Sequence, residues 1–287
     1  MLVNERFLGI HHRIDGELTS ALKQAMDIGA NCMQIFVSCC KSGRPFKFSK
    51  HDVDEYFRLK ASLPKFEVYV HATFMISLTT ARQDVLAMSK RTLLKELELA
   101  DEIDAKYLVV HPGSSKDHKK TANDPLGTTE GIKTMAELLN QIADKKFKTK
   151  LLLENTAYGK SNVGSNLQDF VLLKSLLQNP TQIGYCLDLA HAFAYGYQIQ
   201  PLDSFLSLLN STMGLENIAL IHLNDSATKL ASRIDQHKAP GEGYIGLKAM
   251  REFVKSSAMH YIPNILELPL MDINDAKRSV QVVKSWF

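Results

Sequence analysis

Six short apolar runs are each followed directly by a residue that can hold a metal ion: His71 after Val68–Val70, His111 after Tyr107–Val110, Glu154 after Leu151–Leu153, Asp188 after Ile183–Leu187, His222 after Ile218–Ile221 and Glu267 after Ile265–Leu266. His191 stands three residues beyond Asp188, and Asp235-x-His237 lies in the stretch after His222. One histidine after an apolar run is ordinarily a satisfied structural group. Six competent side chains in succession carry a different meaning. Gathering them in one enclosed space costs desolvation and like-charge repulsion unless cations bind there.

Five imidazoles (His71, His111, His191, His222, His237) and four carboxylates (Glu154, Asp188, Asp235, Glu267) make nine candidate ligands. At roughly three or four N/O ligands per ion, with one carboxylate bridging, they would serve about three ions. The imidazole share favours zinc over Mg²⁺ or Ca²⁺, and Mn²⁺ is compatible with one position. Closely spaced zinc ions acidify a shared water and neutralise phosphoryl charge, so the chemistry expected is hydrolysis of a phosphate ester without a side-chain nucleophile. The chain has neither a G-x-S-x-G elbow nor a P-loop, and Gly241-Glu242-Gly243 lies within a loop rather than between a strand and a helix. His51, His118 and His260 read as exposed or structural, whereas His11 and His12 follow the first apolar run and are candidates to orient a ligand or touch substrate.

Side chains this far apart in sequence meet only if their strands end on one rim. Two further runs, Phe7–Ile10 and Cys32–Val37, bring the strands to eight. Between them lie segments with helical periodicity: Leu18–Asp27, Asp84–Glu102, Thr129–Asp144, Leu167–Leu177, Leu202–Leu209, Leu247–Lys255 and Asn274–Trp286. This alternation predicts an α/β fold, a (β/α)₈ TIM barrel forming a single domain over residues 1–287. The longer connections, Ser38–Lys50, Pro112–Gly127, Asn155–Asn166 and Asn224–Gly246, all follow strands, on the face where barrels keep their chemistry.

Composition agrees with this reading. Of 287 residues, 45% are hydrophobic, and 34 Lys and Arg oppose 31 Asp and Glu for a net charge of +3, which excludes a disordered chain and says little about partners. No apolar stretch approaches the ~18 residues of a membrane helix, and Met1-Leu2-Val3 is broken at once by Asn4-Glu5-Arg6, so neither anchor nor signal peptide is expected. Cys32, Cys39, Cys40 and Cys186 form no CxxC pair. Free thiols in a reducing, cytoplasmic or otherwise intracellular compartment are expected, with a bridge among Cys32, Cys39 and Cys40 the lesser reading.

Several strings resemble the endonuclease IV family of apurinic/apyrimidinic endonucleases: Val109-Val110-His111-Pro112-Gly113-Ser114, Glu154-Asn155-Thr156-Ala157, the run Cys186 to Tyr197, His222-Leu223-Asn224-Asp225, and Ser232 to His237 followed by Gly241 to Gly246. They occur in the family's order, from about Phe7 to the last helix. The resemblance implies a zinc-dependent phosphodiesterase that cleaves DNA 5′ to abasic sites and removes 3′-blocking groups in base excision repair. It implies that His71 and His111 hold a first zinc and that Glu154 bridges it to a second. Asp188, His222 and Glu267 would complete the second site, and His191, Asp235 and His237 would hold the third. A hydroxide between the first two ions would attack phosphorus, with Glu154 and Glu267 as catalytic carboxylates. Asn155, Asn224 and Asp225 would orient ligands.

The match departs from the family at two loops. Where the family carries an Arg-containing segment that enters the DNA stack, this chain reads Ser38-Cys39-Cys40-Lys41-Ser42-Gly43-Arg44-Pro45, leaving Lys41 or Arg44 to take that place. Where an Asp-Ser-Tyr stretch is usual, His71-Ala72-Thr73-Phe74 keeps an aromatic surface, for stacking or packing, without the hydroxyl. Arg233, with Lys116, Lys119, Lys120, Lys160 and Lys238, is a candidate phosphate contact, and the Lys145–Lys150 run reads as solvated surface on the opposite face. The partner expected is double-stranded DNA bearing abasic sites or blocked 3′ ends, bound by a monomer. The alternatives are a divalent-metal sugar isomerase or epimerase on a similar barrel, which would not need Asp235-x-His237 or a basic rim, and a nucleic-acid-binding module with structural zinc.

Overall fold

The computed structural model describes residues 6–14, 17–63, 65–143, 145–269 and 272–287. Met1-Leu2-Val3 and Asp144 lie outside them. Strands β1 (Leu8–His12), β2 (Cys32–Phe36), β3 (Glu67–His71), β4 (Tyr107–Val110), β5 (Lys150–Glu154), β6 (Ile183–Asp188) and β7 (Ile218–His222) join β10 (Asn264–Leu266) in a closed barrel ordered β1-β10-β7-β6-β5-β4-β3-β2. Every neighbouring pair in it is parallel, for example β1 with β10 and β6 with β7. Helices α1 (Leu18–Asp27), α2 (Lys50–Ala61), α3 (Gln83–Glu102), α4 (Thr128–Ala143), α5 (Gln168–Leu176), α6 (Leu189–Tyr195), α7 (Leu202–Thr212), α8 (Leu247–Lys255) and α9 (Ile273–Lys284) follow the strands. The fold is the TIM barrel that the alternation predicts.

Alternation along each strand divides the apolar residues between two cores. Cys32, Tyr69, Val109, Leu152, Cys186, Leu220 and Ile265 fill the barrel, while the larger cluster, including Leu108, Val110, Leu151 and Leu153, packs between strands and helices. The barrel residues form a layer, and adding two to each number gives Gln34, His71, His111, Glu154, Asp188, His222 and Glu267. The chemistry-bearing residues are therefore the next inward-facing layer, at the C-terminal mouth. Gly9 lets β1 approach β2 closely, since a Cβ there would stand 1.9 Å from the Cys32 carbonyl oxygen.

Two helices were not expected. The α2 segment buries only Tyr56, so its apolar stripe is too thin to register as a period; Ser49 caps it by accepting from the Asp52 amide, and Asp52 accepts from the amides of Leu18 and Thr19 at the start of α1. The α6 segment is seven residues long and begins directly after Asp188, whose side chain caps it. In the long connection after β7, Asp225–Ser226 (β8) pairs antiparallel with His237–Lys238 (β9), so part of what reads as loop is a small hairpin. All four cysteines are free thiols, Cys32 and Cys186 buried inside the barrel. No helix among the described residues is long and apolar enough to cross a membrane.

Candidate metal centre and active site

The nine side chains singled out in the sequence meet at the barrel mouth. Glu154 is central: its Oε2 lies 3.1 Å from Nε2 of both His71 and His111, and its Oε1 lies 3.0 Å from Nδ1 of His222. His222 Nδ1 is also 3.3 Å from Glu267 Oε2 and 3.9 Å from Asp188 Oδ2. Asp235 Oδ1 is 3.2 Å from His191 Nε2 and 3.1 Å from His237 Nε2, and Asp188 Oδ2 is 3.7 Å from the latter. The donor atoms fall into three groups, each within 4.8 Å: His71, His111 and Glu154; Glu154, Asp188, His222 and Glu267; and Asp188, His191 and His237. Glu154 and Asp188 each belong to two groups. Asp188 thus stands between the second and third clusters, 3.9 Å from His222 Nδ1 and 3.7 Å from His237 Nε2.

Four imidazoles have their outward nitrogen facing an oxygen. His71 Nδ1 faces the Ala72 carbonyl at 2.8 Å, His191 Nδ1 the Asn155 carbonyl at 2.8 Å, His222 Nε2 the Gln34 Oε1 at 3.0 Å and His237 Nδ1 the Glu267 carbonyl at 3.3 Å. With the proton on the outward nitrogen, as metal ligation requires, the inward nitrogen keeps a lone pair directed at a carboxylate. Two lone pairs about 3 Å apart repel unless a cation lies between them. Among the described residues, the buried Nε2 atoms of His191 and His237 make no hydrogen bond, despite their proximity to Asp235. Atoms that converge without bonding to one another fit a metal, and the mixed imidazole and carboxylate donors fit zinc.

The electrostatics point the same way. Burial alone would push the Glu154 carboxyl up, but the His222 and His111 imidazoles hold it well below the usual range. Burial raises Asp188 despite His191 and His237. For His237, burial disfavours the imidazolium, yet Asp188 and Asp235 outweigh it and raise the pKa to about 8. Stripped of metal, such a cluster would recruit protons where divalent ions otherwise supply positive charge.

Neutral groups hold the ligands in place. Asn224 Nδ2 donates to Asp188 Oδ2 at 2.6 Å, and its Oδ1 accepts from the Glu267 amide at 2.7 Å. Asn155 exchanges two hydrogen bonds with the Asp188 backbone. Asp225 differs from its expected role: its carboxylate accepts the amides of Ser226, Gly241, Gly243, Ile245 and Gly246, so it shapes the loop instead of orienting a ligand. His11 Nδ1 lies 3.2 Å from Glu267 Oε1, and Gln34, fully buried, donates to that oxygen at 3.0 Å. Gln34 was missed because an amide is no ligand type, although its position in the inward layer was readable.

Around the mouth, Phe74 is 62% exposed, its ring 5.8 Å from His71 and 6.0 Å from His111. Lys41 shares a cavity of about 540 Å³ with Phe74, His11, His237 and Glu267. Arg44 lines a separate groove beside α2 and α3. Arg233 is exposed, takes a left-handed backbone (φ 61°) and stacks on Tyr195, 3.7 Å from the ring centre. His118 is structural, its Nε2 2.9 Å from the Thr79 carbonyl.

A parallel barrel whose mouth gathers imidazoles and carboxylates in adjoining clusters defines a metal-dependent TIM-barrel enzyme, and a profile described as the xylose isomerase-like TIM barrel matches residues 22–286. The chain is similar to the probable endonuclease 4 of Halothermothrix orenii, 36% identical over 269 residues that cover 91% of this chain and 93% of that one. The crystal structure of endonuclease IV from Thermus thermophilus superposes with a TM-score of 0.84 at 28% identity, covering 98% of each chain. A D-tagatose 3-epimerase-like protein matches with a TM-score of 0.74 over 98% of this chain and 97% of its own, but at 19% identity this likeness is one of fold alone. The chain belongs to the endonuclease IV family of apurinic/apyrimidinic endonucleases and is, as such, a phosphodiester hydrolase.

Proposed function

We propose that this chain is a trinuclear zinc phosphodiesterase of base excision repair that cleaves double-stranded DNA 5′ to abasic sites and removes 3′-blocking groups. It acts as a monomer in a reducing intracellular compartment, and residues 1–287 form one catalytic domain. The observation that carries the reading is the division of eight of the nine donors into three adjoining groups linked by Glu154 and Asp188, with Asp235 about 3 Å from the His191 and His237 nitrogens of the third. His71, His111 and Glu154 would hold one ion, Glu154, Asp188, His222 and Glu267 a second, and His191, Asp235 and His237 a third, with Asp188 beside it. Mn²⁺ is compatible with one of them.

When bound, the ions supply Lewis acidity that neutralises phosphoryl charge and acidifies a water to serve as nucleophile. The protein's own part is placement. Glu154 presents one oxygen to each of two groups, so it fixes their separation. Glu267 is steadied by His11, Gln34 and Asn224, which would fix it as an orienting carboxylate. Phe74 and Lys41, which line one cavity at the mouth, would with Arg233 hold the opened duplex by stacking and phosphate contact, and Arg44 would reach the backbone further out. A sugar epimerase on the same fold has no use for the third cluster or the exposed basic and aromatic rim.

The test is incision of a labelled duplex carrying one abasic-site analogue by wild type and Glu154→Gln, with metal content measured on both. Cutting 5′ to the lesion by wild type holding three zinc ions, lost in a folded Glu154→Gln, is the expected result. A folded, metal-loaded wild type that leaves the DNA intact overturns the assignment and makes sugars the next substrates to try.

A further inference from the structure

Tyr158 stands four residues past Glu154 in the loop after β5, and its phenol donates a 3.0 Å hydrogen bond to Oδ2 of Asp235. The other oxygen of that carboxylate, Oδ1, is the one 3.2 Å from His191 Nε2 and 3.1 Å from His237 Nε2. The two oxygens therefore have different partners: one faces a neutral donor, the other the Nε2 atoms of two imidazoles. A carboxylate without such a donor can rotate or present both oxygens to a cation, whereas an engaged Oδ2 leaves Oδ1 as the single ligand atom.

Asp235 needs an external hold. It comes from the long connection after β7, where Ala231 and Arg233 both take left-handed backbone conformations (φ 62° and 61°) and Ile234 is 49% exposed. Strain of this kind persists only where surrounding contacts enforce it. The loop after β5 supplies such a contact through Tyr158, whose ring lines a cavity of about 330 Å³ with His71, His111, Phe74 and Asp235. A phenol is protonated throughout the neutral range, so the donor is present there.

We propose that Tyr158 is a positioning residue for the third cation subsite, holding Asp235 so that a divalent metal ion there is ligated through Oδ1 alone. The proposal rests on the trinuclear reading above and deepens it. It assigns to one hydroxyl group the retention of one ion of the three.

The experiment follows zinc release from fully loaded protein into a chromophoric chelator, for wild type, Tyr158→Phe and Asp235→Asn, alongside thermal melting of the metal-stripped proteins. Tyr158→Phe keeps the ring and loses only the donor. The expected result is that one zinc equivalent of three leaves about ten-fold faster or more, in line with the loss of a group that orients a ligand. The other two equivalents keep wild-type kinetics, the stripped protein melts as wild type does, and Asp235→Asn loses the same single equivalent. Unchanged release from Tyr158→Phe, or parallel acceleration of all three equivalents, overturns the proposal while the trinuclear reading stands. A wild type that binds fewer than three zinc ions overturns that reading and the proposal with it.

Discussion

Glu154 and His222 meet at the centre of the barrel mouth with Oε1 and Nδ1 3.0 Å apart, while Glu154 Oε2 turns to His71 and His111 at 3.1 Å. One carboxylate thereby touches ligands from three other strands, β3, β7 and the end of β4. Replacing Glu154 by Gln keeps the shape and removes the charge common to two clusters. We expect incision to fall by about 10³-fold, with metal content reduced by more than one equivalent, because both groups lose an anionic donor. Metal analysis with single-turnover incision on the folded variant checks this; full metal content at wild-type rate would refute the bridging role.

The protonation of His237 gives the metal-stripped and loaded proteins opposite pH responses. In the stripped protein its pKa is raised from 6.5 to about 8 by Asp188 and Asp235 against the opposing effect of burial. A histidine raised on folding contributes stability that is fully present below pH 6.5 and lost as pH climbs through 8, here at most about 2 kcal/mol. Zinc binding needs the neutral imidazole, so the loaded protein gains stability over the same interval. Melting temperatures between pH 6 and 8.5 should fall with pH after chelation and rise with zinc bound, and His237→Gln should weaken both trends, leaving the share due to His71, His191 and His222.

Asp169 offers a test away from the site. Burial raises its pKa from 3.8 to about 6, opposed by the hydrogen bond from the Gly164 amide. The folded state thus prefers the protonated form, and the stability present below pH 4 is lost as pH rises to 6. Its position in the first turn of α5 favours the charge and offsets part of this, leaving about 1 to 2 kcal/mol. Asp169→Asn, which keeps an acceptor for Gly164, should be more stable than wild type at pH 7 and equal to it near pH 4. Denaturant unfolding at both pH values decides the matter.

The strand ends were legible because a barrel's inward layers repeat every two residues. Leu152 lies in the packed layer and Glu154 in the reactive one; Leu220 and His222, and Ile265 and Glu267, repeat the step. Gln34 obeys the same parity two residues after Cys32 yet carries no ligand chemistry, so residue type concealed what position disclosed. The α2 helix was hidden for the converse reason, since Tyr56 is its one buried side chain and most of its surface contacts water. Asp225 could be placed next to the site by sequence, but only the folded loop reveals that its carboxylate gathers the amides of Gly241, Gly243 and Ile245. Arg44 lies three residues from Lys41 in the sequence, whereas the turn between them directs Arg44 to another groove.

That turn is fastened from beneath by Glu96, which separates substrate binding from chemistry. Glu96 on α3 is 1% exposed, and its Oε2 accepts the Thr73 amide at 3.2 Å. Thr73 Oγ1 donates in turn to the Cys40 carbonyl at 2.9 Å. The chain of contacts therefore ties the segment bearing Lys41 to the one bearing Phe74, without touching a metal ligand. Glu96→Ala leaves the Thr73 amide unpaired in a buried space, a loss of about 1 to 3 kcal/mol, and frees both segments. We expect KM for lesion-bearing duplex to rise severalfold while kcat and metal content stay near wild type. Glu96→Gln, which keeps the acceptor, should restore KM. Steady-state kinetics at a temperature well below both melting transitions test this; a fall in kcat with unchanged KM would place Glu96 in the support of the metal cluster instead.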